Sequence, residues 1–331
     1  MKNSKEQKSI SDFEEAKFIF EKVKSEISKL IVGQEEIIRF LFLTIVANGH
    51  SLIEGVPGLA KTMLVNALAK ALSLDFNRIQ FTPDLMPSDI TGTEVINFSD
   101  EKKGFIFLKG PVFTNILLAD EINRTPPKTQ SALLQAMQEK KLTILGKTYE
   151  LPKPFFVFAT QNPIEYQGTY PLPEAQLDRF LFKIDILYPQ RSEELKILEV
   201  NPEDLNKIRN VISHVEIEKM QDRARRIYSS DKIREYILDI TRNTRPNNTD
   251  FDFVNNYVSW GVGPRASQML LMASKSMALI KSKDYVDKED VDDVLFAVLS
   301  HRIFLNYKAQ AERIDAKDII LKIKKEVEKR V

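Results

Sequence analysis

The sequence predicts an α/β domain, built on a parallel sheet with helices on both faces and two β-hairpin insertions, followed by an all-α domain. Three observations predict it. Short apolar runs of strand length alternate with helix-period segments through residues 1–189. A Gly-rich turn joins one of those runs directly to a helix. From residue 190 to 331 the periodicity is almost entirely helical. A chain of 331 residues suits two units of this size, and at 43% hydrophobic and 29% charged it can bury sizeable cores and still be soluble.

The elements follow in order. Phe13, Ala16, Ile19, Phe20, Val23, Ile27 and Leu30 recur at helical spacing over residues 13–30, and Ile31-Val32-Gly33-Gln34 interrupts before a second helix at 35–47. The run 51–54 reads as a strand, the Gly-rich turn follows, and residues 63–70 read as a helix. A short strand is expected at 76–81, then a hairpin from 94–98 and 105–108 joined by a charged turn. Ile116 to Ala119 is a buried-type strand that ends at Asp120 and Glu121. Residues 126–140 form a helix with Pro at its start, and 142–144 and 148–151 flank Gly146 as a second hairpin. Residues 155–159 make another buried strand. The second unit is expected to contain helices at roughly 191–199, 217–228, 231–243, 264–282, 287–299 and 308–330.

Composition narrows the function. A net charge of +1 gives no case for wholesale binding to nucleic acid or anionic membrane. There is no run of about 18 apolar residues that would span a bilayer, and the polar first dozen residues lack the apolar core of a secretory signal. No Cys is present, which removes thiol catalysis and Cys-ligated metal, and the three dispersed His argue against a His-rich metal site. The cytoplasm is the simplest location.

Chemistry concentrates in three places. Gly55-Val56-Pro57-Gly58-Leu59-Ala60-Lys61-Thr62, leading into Met63, forms the turn between strand and helix. Such a turn aims backbone N–H groups and the positive end of a helix dipole at one point. Lys61 adds a charge for β- and γ-phosphates, and the Thr62 hydroxyl can hold Mg²⁺. The usual pattern has Gly where Ala60 stands, and Ala narrows the allowed backbone. Asp120 and Glu121 end a buried strand, where α/β sheets collect their sites; Asp120 suits a Mg²⁺ ligand acting through water and Glu121 a base for an attacking water. Beyond strand 155–159, Asn162 could orient that water or simply serve the turn that Asn162-Pro163 favours.

These residues together resemble the AAA+ ATPases, and most strongly their MoxR branch. The phosphate loop 55–62 looks like the MoxR form of the Walker A motif, its Ala60 included. Asp120 to Gln130, continuing to Glu139, is similar to the Walker B region, and Ala159 to Pro163 to sensor 1. Leu172 to Phe180 resembles the segment bearing an arginine finger, and Gly263-Pro264-Arg265-Ala266 resembles sensor 2. The likeness covers about residues 14–330. It implies a P-loop NTPase domain with a helical lid, and ATP and Mg²⁺ bound between subunits of an oligomer, with a hexameric ring as the family expectation. In that arrangement Lys61, Thr62 and Asp120 handle phosphate and metal, Glu121 and Asn162 the water, and Ile31, Val32 and Gly33 the adenine. Arg179 would reach the neighbour's site, and Arg265 would come from the lid of the same subunit, moved by a hinge. Alternatives remain for both arginines: an ion pair of Arg179 with Asp178 or Glu174, and a solvated helix start for Arg265. Arg124 competes for the interface role.

On the first hairpin, Lys102, Lys103 and Phe105 are candidates for touching a client or are simply an exposed tip. The resemblance implies a chaperone-like ATPase that remodels or matures a protein partner, with proteins carrying a von Willebrand factor A domain among the partners to expect. A helicase-like nucleic-acid motor is the alternative, disfavoured by near-neutral charge. A nucleotide-gated scaffold is a third reading, disfavoured because each catalytic role has a residue to fill it.

Overall fold

The protein's structure, a computed structural model, describes residues 3–97, 104–164 and 168–330. Helices α1 (Asn3–Ile27) and α2 (Glu35–Val46) precede strand β1 (Ser51–Glu54), and α3 (Lys61–Ala71) leads to β2 (Phe76–Gln80). A short helix α4 (Pro87–Thr91) introduces the first hairpin, β3 (Gly92–Asn97) and β4 (Gly104–Lys109). Strand β5 (Ile116–Asp120), helix α5 (Pro127–Glu139), the second hairpin β6 (Lys141–Ile144) and β7 (Lys147–Glu150), and strand β8 (Phe156–Gln161) follow. The short α6 (Glu174–Leu177) then precedes β9 (Phe182–Asp185).

Five strands form one parallel sheet in the order β2-β5-β8-β1-β9. The central strands read as continuous apolar runs because helices cover both their faces, and every residue of β5 is buried. The outer strands carry polar residues among apolar ones, as in Phe182-Lys183-Ile184-Asp185. Alternation divides the sheet between two cores. Ile53, Leu118, Phe156 and Phe158 face α1, α2, α3 and the helical half. Leu52, Leu117, Val157 and Ala159 face α5. Phe156 and Phe158 are fully buried, each worth about 1.5–3 kcal/mol of apolar transfer.

The sheet ends at Asp185, and the helical half starts with α7 (Arg191–Ile197), α8 (His214–Arg226), α9 (Asp231–Arg242) and α10 (Asp252–Tyr257). Strand β10 (Val258–Trp260), helices α11 (Pro264–Ile280) and α12 (Lys288–Leu299), strand β11 (Phe304–Leu305), and helices α13 (Tyr307–Ala311) and α14 (Ala316–Glu328) complete it. Helix α11 packs on α8, α9 and α12 and also on α1 and α2, while α12 lies against β9. One apolar core therefore runs from the sheet face through both N-terminal helices into the helical half. Among the described residues no helix is long and apolar enough to cross a membrane.

The sequence reading departs from the structure in several places. Strand β9 and the β10–β11 pair were not expected; they are only two to four residues long. The single helix expected over 308–330 is two, because Arg313 adopts φ 57° and the Asp315 side chain caps a new start at Asp318 N–H. Helix α8 begins at His214, three residues before the expected start, where Ser213 and Glu216 form a capping box.

Candidate active site

Strand β1 delivers Gly55 to the C-terminal edge of the sheet, and the chain turns there into α3. Gly58 has φ 86°, and a Cβ built on it would meet nothing within 4 Å, so the loop faces open space. Ala60 is left-handed at φ 57° and occupies the N-cap of α3 without offering a side-chain acceptor. The first-turn N–H groups of α3 thus have no capping side chain, and no acidic residue occupies that turn. Such an end is suited to an anion. Lys61 crosses the loop to donate to Gly55 O at 2.5 Å. Burial lowers its pKa, and the carboxylates of Asp120, Glu121 and Glu54 oppose that shift.

The acidic pair lies beside this loop because of strand register. Ala119 pairs with Ala159, and Asp120 with Gln80. Thr160, on β8, is fully buried; its hydroxyl donates to Asp120 Oδ1 at 2.5 Å and accepts from Glu121 N–H at 2.8 Å. Glu121 is left-handed at φ 57°, which turns its side chain out of the strand direction. Arg78 donates to Asp120 Oδ2 through Nε at 3.0 Å and Nη2 at 2.7 Å. Gln80 and Arg124 both donate to Glu121 Oε2, at 2.7 and 2.9 Å. Arg78 and Gln80 escape the sequence reading as site residues, their only signal being the polar pattern of β2, while Thr160 lies within the 159–163 segment likened to sensor 1 but carries no role of its own there. Gln130 is a structural staple: fully buried, it donates to the carbonyls of Ile122, Thr125 and Tyr170 and so shapes the turn after the acidic pair.

The donor set fits a magnesium nucleotide. Uncapped helix N–H groups and Lys61 suit phosphate, and the Thr62 hydroxyl and Asp120 carboxylate suit a hard cation. Asn162 is buried and lines a cleft of about 270 Å³ with Glu54 and Asn123. Its oxygen accepts from Ile164 N–H at 3.1 Å, so it does serve the turn, and its amide nitrogen has no partner among the described residues. Ile31 is buried, and Gln34, which follows Ile31, Val32 and Gly33, donates to Leu59 O of the phosphate loop at 3.4 Å. Gly33, at φ 76°, leaves no room for a Cβ against the Glu193 side chain of α7.

Arg179 and Arg265 are not brought to this site. Arg179 precedes β9, at the N-terminal edge of the parallel sheet. Among the described residues it pairs with no carboxylate, because Asp178 is taken by Arg302 at 2.9 Å. Arg265 is exposed at the start of α11. Its charge adds to burial and to Lys140 in driving His50 down to about 3, and it acts on Arg302 too. Both neighbours mark the N-terminal edge: His50 immediately precedes β1, and Arg302 contacts the carbonyls of Phe180 and Leu181. Strand β1 alone separates that edge from the phosphate loop by about 13 Å. In this structure Arg265 therefore lies near the edge opposite the phosphate loop of its own subunit. The helical half packs on α1, α2 and β9, which holds the start of α11 at the far edge.

The two hairpins are joined, with Phe107 stacked on Tyr149 at 4.3 Å and Lys147 paired with Glu94 at 3.6 Å. Phe105 is 68% exposed. Lys102 and Lys103 lie outside the described residues.

Comparison with known proteins bears on the fold and the family. Residues 50–182 match the model of the ATPase family associated with various cellular activities (AAA), and residues 252–323 match the AAA lid domain. The chain is 44% identical over 304 residues to the uncharacterized protein YeaC of Bacillus subtilis, covering 91% of this chain and 92% of that one. It is 41% identical to the chaperone MoxR1 of Mycobacterium tuberculosis, covering 90% of this chain and 79% of that one. A solved structure from Cytophaga hutchinsonii superposes with a TM-score of 0.87 at 42% identity, covering 97% and 96% of the two chains.

Proposed function

Because the chain belongs to the MoxR family of AAA+ ATPases, we propose that it hydrolyses ATP in a head-to-tail oligomer and uses the cycle to remodel or mature a protein partner. One observation carries the reading: the phosphate loop and acidic pair lie at one edge of the sheet, while Arg179, which pairs with no carboxylate among the described residues, and the exposed Arg265 lie toward the other.

In this mechanism the N–H groups of residues 58–62 and the Lys61 ammonium hold the β- and γ-phosphates. Thr62 and, through water, Asp120 would hold Mg²⁺, which would supply charge neutralisation. Glu121 accepts the proton of the attacking water; Gln80 and Arg124 both use its Oε2, and Oε1 remains for that proton. The free amide of Asn162 orients the water. Ile31, Val32 and Gly33 hold the base. Arg179 of one subunit enters the next subunit's site and stabilises charge on the transferring phosphoryl group, with Arg265 beside it from the same neighbour. Arg124 is already engaged with its own Glu121 and fits the interface role less well. The joined hairpins, with Phe105 exposed, are the surface offered to a client, and a partner with a von Willebrand factor A domain and a hexameric, cytoplasmic ring follow the family.

The test is the ATP hydrolysis rate per subunit across a wide range of protein concentration, with Glu121→Gln as control. The rate should rise with concentration and vanish in the variant. A flat rate that still needs Glu121, in a protein shown to be monomeric, would remove the neighbour from the mechanism.

A further inference from the structure

The segment that carries Arg179 is gripped by the helical half of its own chain. Helix α12 runs into a single 3₁₀ turn, Ser300–Arg302, and Arg302 is only 4% exposed. Its guanidinium donates to Asp178 Oδ1 at 2.9 Å, to Asp178 O at 3.2 Å, to Leu181 O at 3.4 Å, and to the carbonyls of Phe180 and Val298. His301 adds a contact from Nε2 to Phe180 O at 3.1 Å. The residues on either side of Arg179 are thus tied down, while Arg179 itself makes no contact of this kind among the described residues.

A buried ion pair is weak evidence for stability, because desolvation offsets most of the attraction. What a guanidinium does supply is five donors in a rigid fork, which fixes several acceptors relative to one another. Burial lowers the Arg302 pKa to about 10 against the opposing pull of Asp178, so the fork keeps its charge at neutral pH. The same turn borders a cleft of about 610 Å³ lined by Glu174, Asp178, Trp260, Gly263 and Arg302, which joins the Arg179 segment to the loop leading into Arg265.

We propose that Arg302, with Asp178 as its counter-ion, is a positioning residue for Arg179. It ties the Arg179 segment to the end of α12, so that the helical half of a subunit sets where that subunit's Arg179 enters its neighbour's site. This rests on the reading of Arg179 as a group that acts across a subunit interface.

The experiment uses the full chain and four substitutions: Asp178→Ala, Asp178→Asn and Arg179→Ala, with Glu121→Gln as the mixing partner. Asp178→Ala should lower kcat by about 10²-fold, the effect of a displacement near 1 Å, with ATP affinity little changed. Asp178→Asn keeps an oxygen that can accept from Arg302 Nε and should lose less. Each defective chain is then mixed before assembly with an excess of Glu121→Gln, which has an intact Arg179 but no base. Rescue of both Asp178→Ala and Arg179→Ala supports the proposal, since a sound neighbour then repairs the defect. Rescue of Arg179→Ala alone overturns it, because the Asp178 defect would lie in its own site. Rescue of neither overturns the reading of Arg179 and the proposal with it, co-purification of the two chains through an affinity tag on Glu121→Gln alone showing that subunits mix. Unchanged kcat in Asp178→Ala overturns the positioning role directly. Should Asp178→Ala fail to fold, the mixing test is read on Asp178→Asn.

Discussion

Replacing Thr160 with Val tests whether the acidic pair depends on strand β8 for its geometry. Thr160 has no surface exposure, and its hydroxyl stands between Asp120 Oδ1 and Glu121 N–H. Valine keeps the branched shape and removes both bonds. A hydrogen bond to a charged carboxylate is worth about 1.5–3 kcal/mol, and an N–H left without a partner costs about 1–3 kcal/mol. The added methyl returns about 0.8 kcal/mol. The net expectation is a loss of about 2–5 kcal/mol of stability. The kinetic consequence is separate. Glu121 holds a left-handed backbone that costs about 1–2 kcal/mol in a residue with a side chain, and the Thr160 hydroxyl is the group that fastens its N–H. Without it the peptide can relax and carry the carboxylate away from the water. A shift near 1 Å corresponds to about 10²-fold in kcat, with KM for ATP nearly unchanged. Denaturant unfolding followed by circular dichroism gives the first number and steady-state ATP hydrolysis the second. Thr160→Ser keeps the hydroxyl and should retain most of the rate. A Val variant that loses stability but turns over like wild type would refute the argument that Thr160 sets the orientation of Glu121.

Other outcomes follow from the same geometry. Arg179→Ala should leave folding and nucleotide affinity intact and lower the rate in the assembled state by about 10³- to 10⁵-fold, measured by calorimetric binding and turnover; a mild effect would move the interface role to another residue. Ala60→Gly should preserve nucleotide binding and change stability by about 1 kcal/mol or less, because relief of the left-handed strain offsets the added freedom of the unfolded chain. The buried imidazoles of His50 and His301 are both held below their ordinary value of 6.5, mainly by burial, so they stay neutral in the folded protein while the unfolded chain takes up protons. Their contribution is present in full above pH 6.5 and is lost on acidification toward the folded value, at about 1.4 kcal/mol per pH unit for each histidine. Unfolding midpoints measured between pH 7 and 5 should fall, and a His50→Gln chain should show a shallower dependence.

The phosphate loop and the acidic pair were readable because their chemistry is contiguous: Gly55 to Thr62 form one turn, and Asp120 and Glu121 end one strand. The partners of that pair were not. Arg78, Gln80 and Thr160 reach it only through the register of β2 and β8 against β5, and no local pattern encodes a register. Strand β9 was missed because a four-residue outer strand offers two apolar positions, too few to show a period. The break between α13 and α14 did carry a signal, Asp315 followed by Asp318, but the apolar spacing continued through it. Arg265 is legible from its motif, but the edge at which it lies is not, since that depends on how α11 packs against α1 and α2.

The separation of the phosphate loop from Arg179 and Arg265 gives each copy two unlike ends. On the proposed mechanism one end receives and the other gives, and the copies stack head to tail. In an open stack the last copy has a site that nobody completes, and the first has arginines with nothing to act on. Two copies then hold one complete site, three hold two, and only closure makes the numbers equal. A stack that closes gains a site for which no further subunit is needed. Under the same proposal, traffic around the assembly has a direction: a change in the helical half of one copy acts through its Arg179 on the neighbour it gives to.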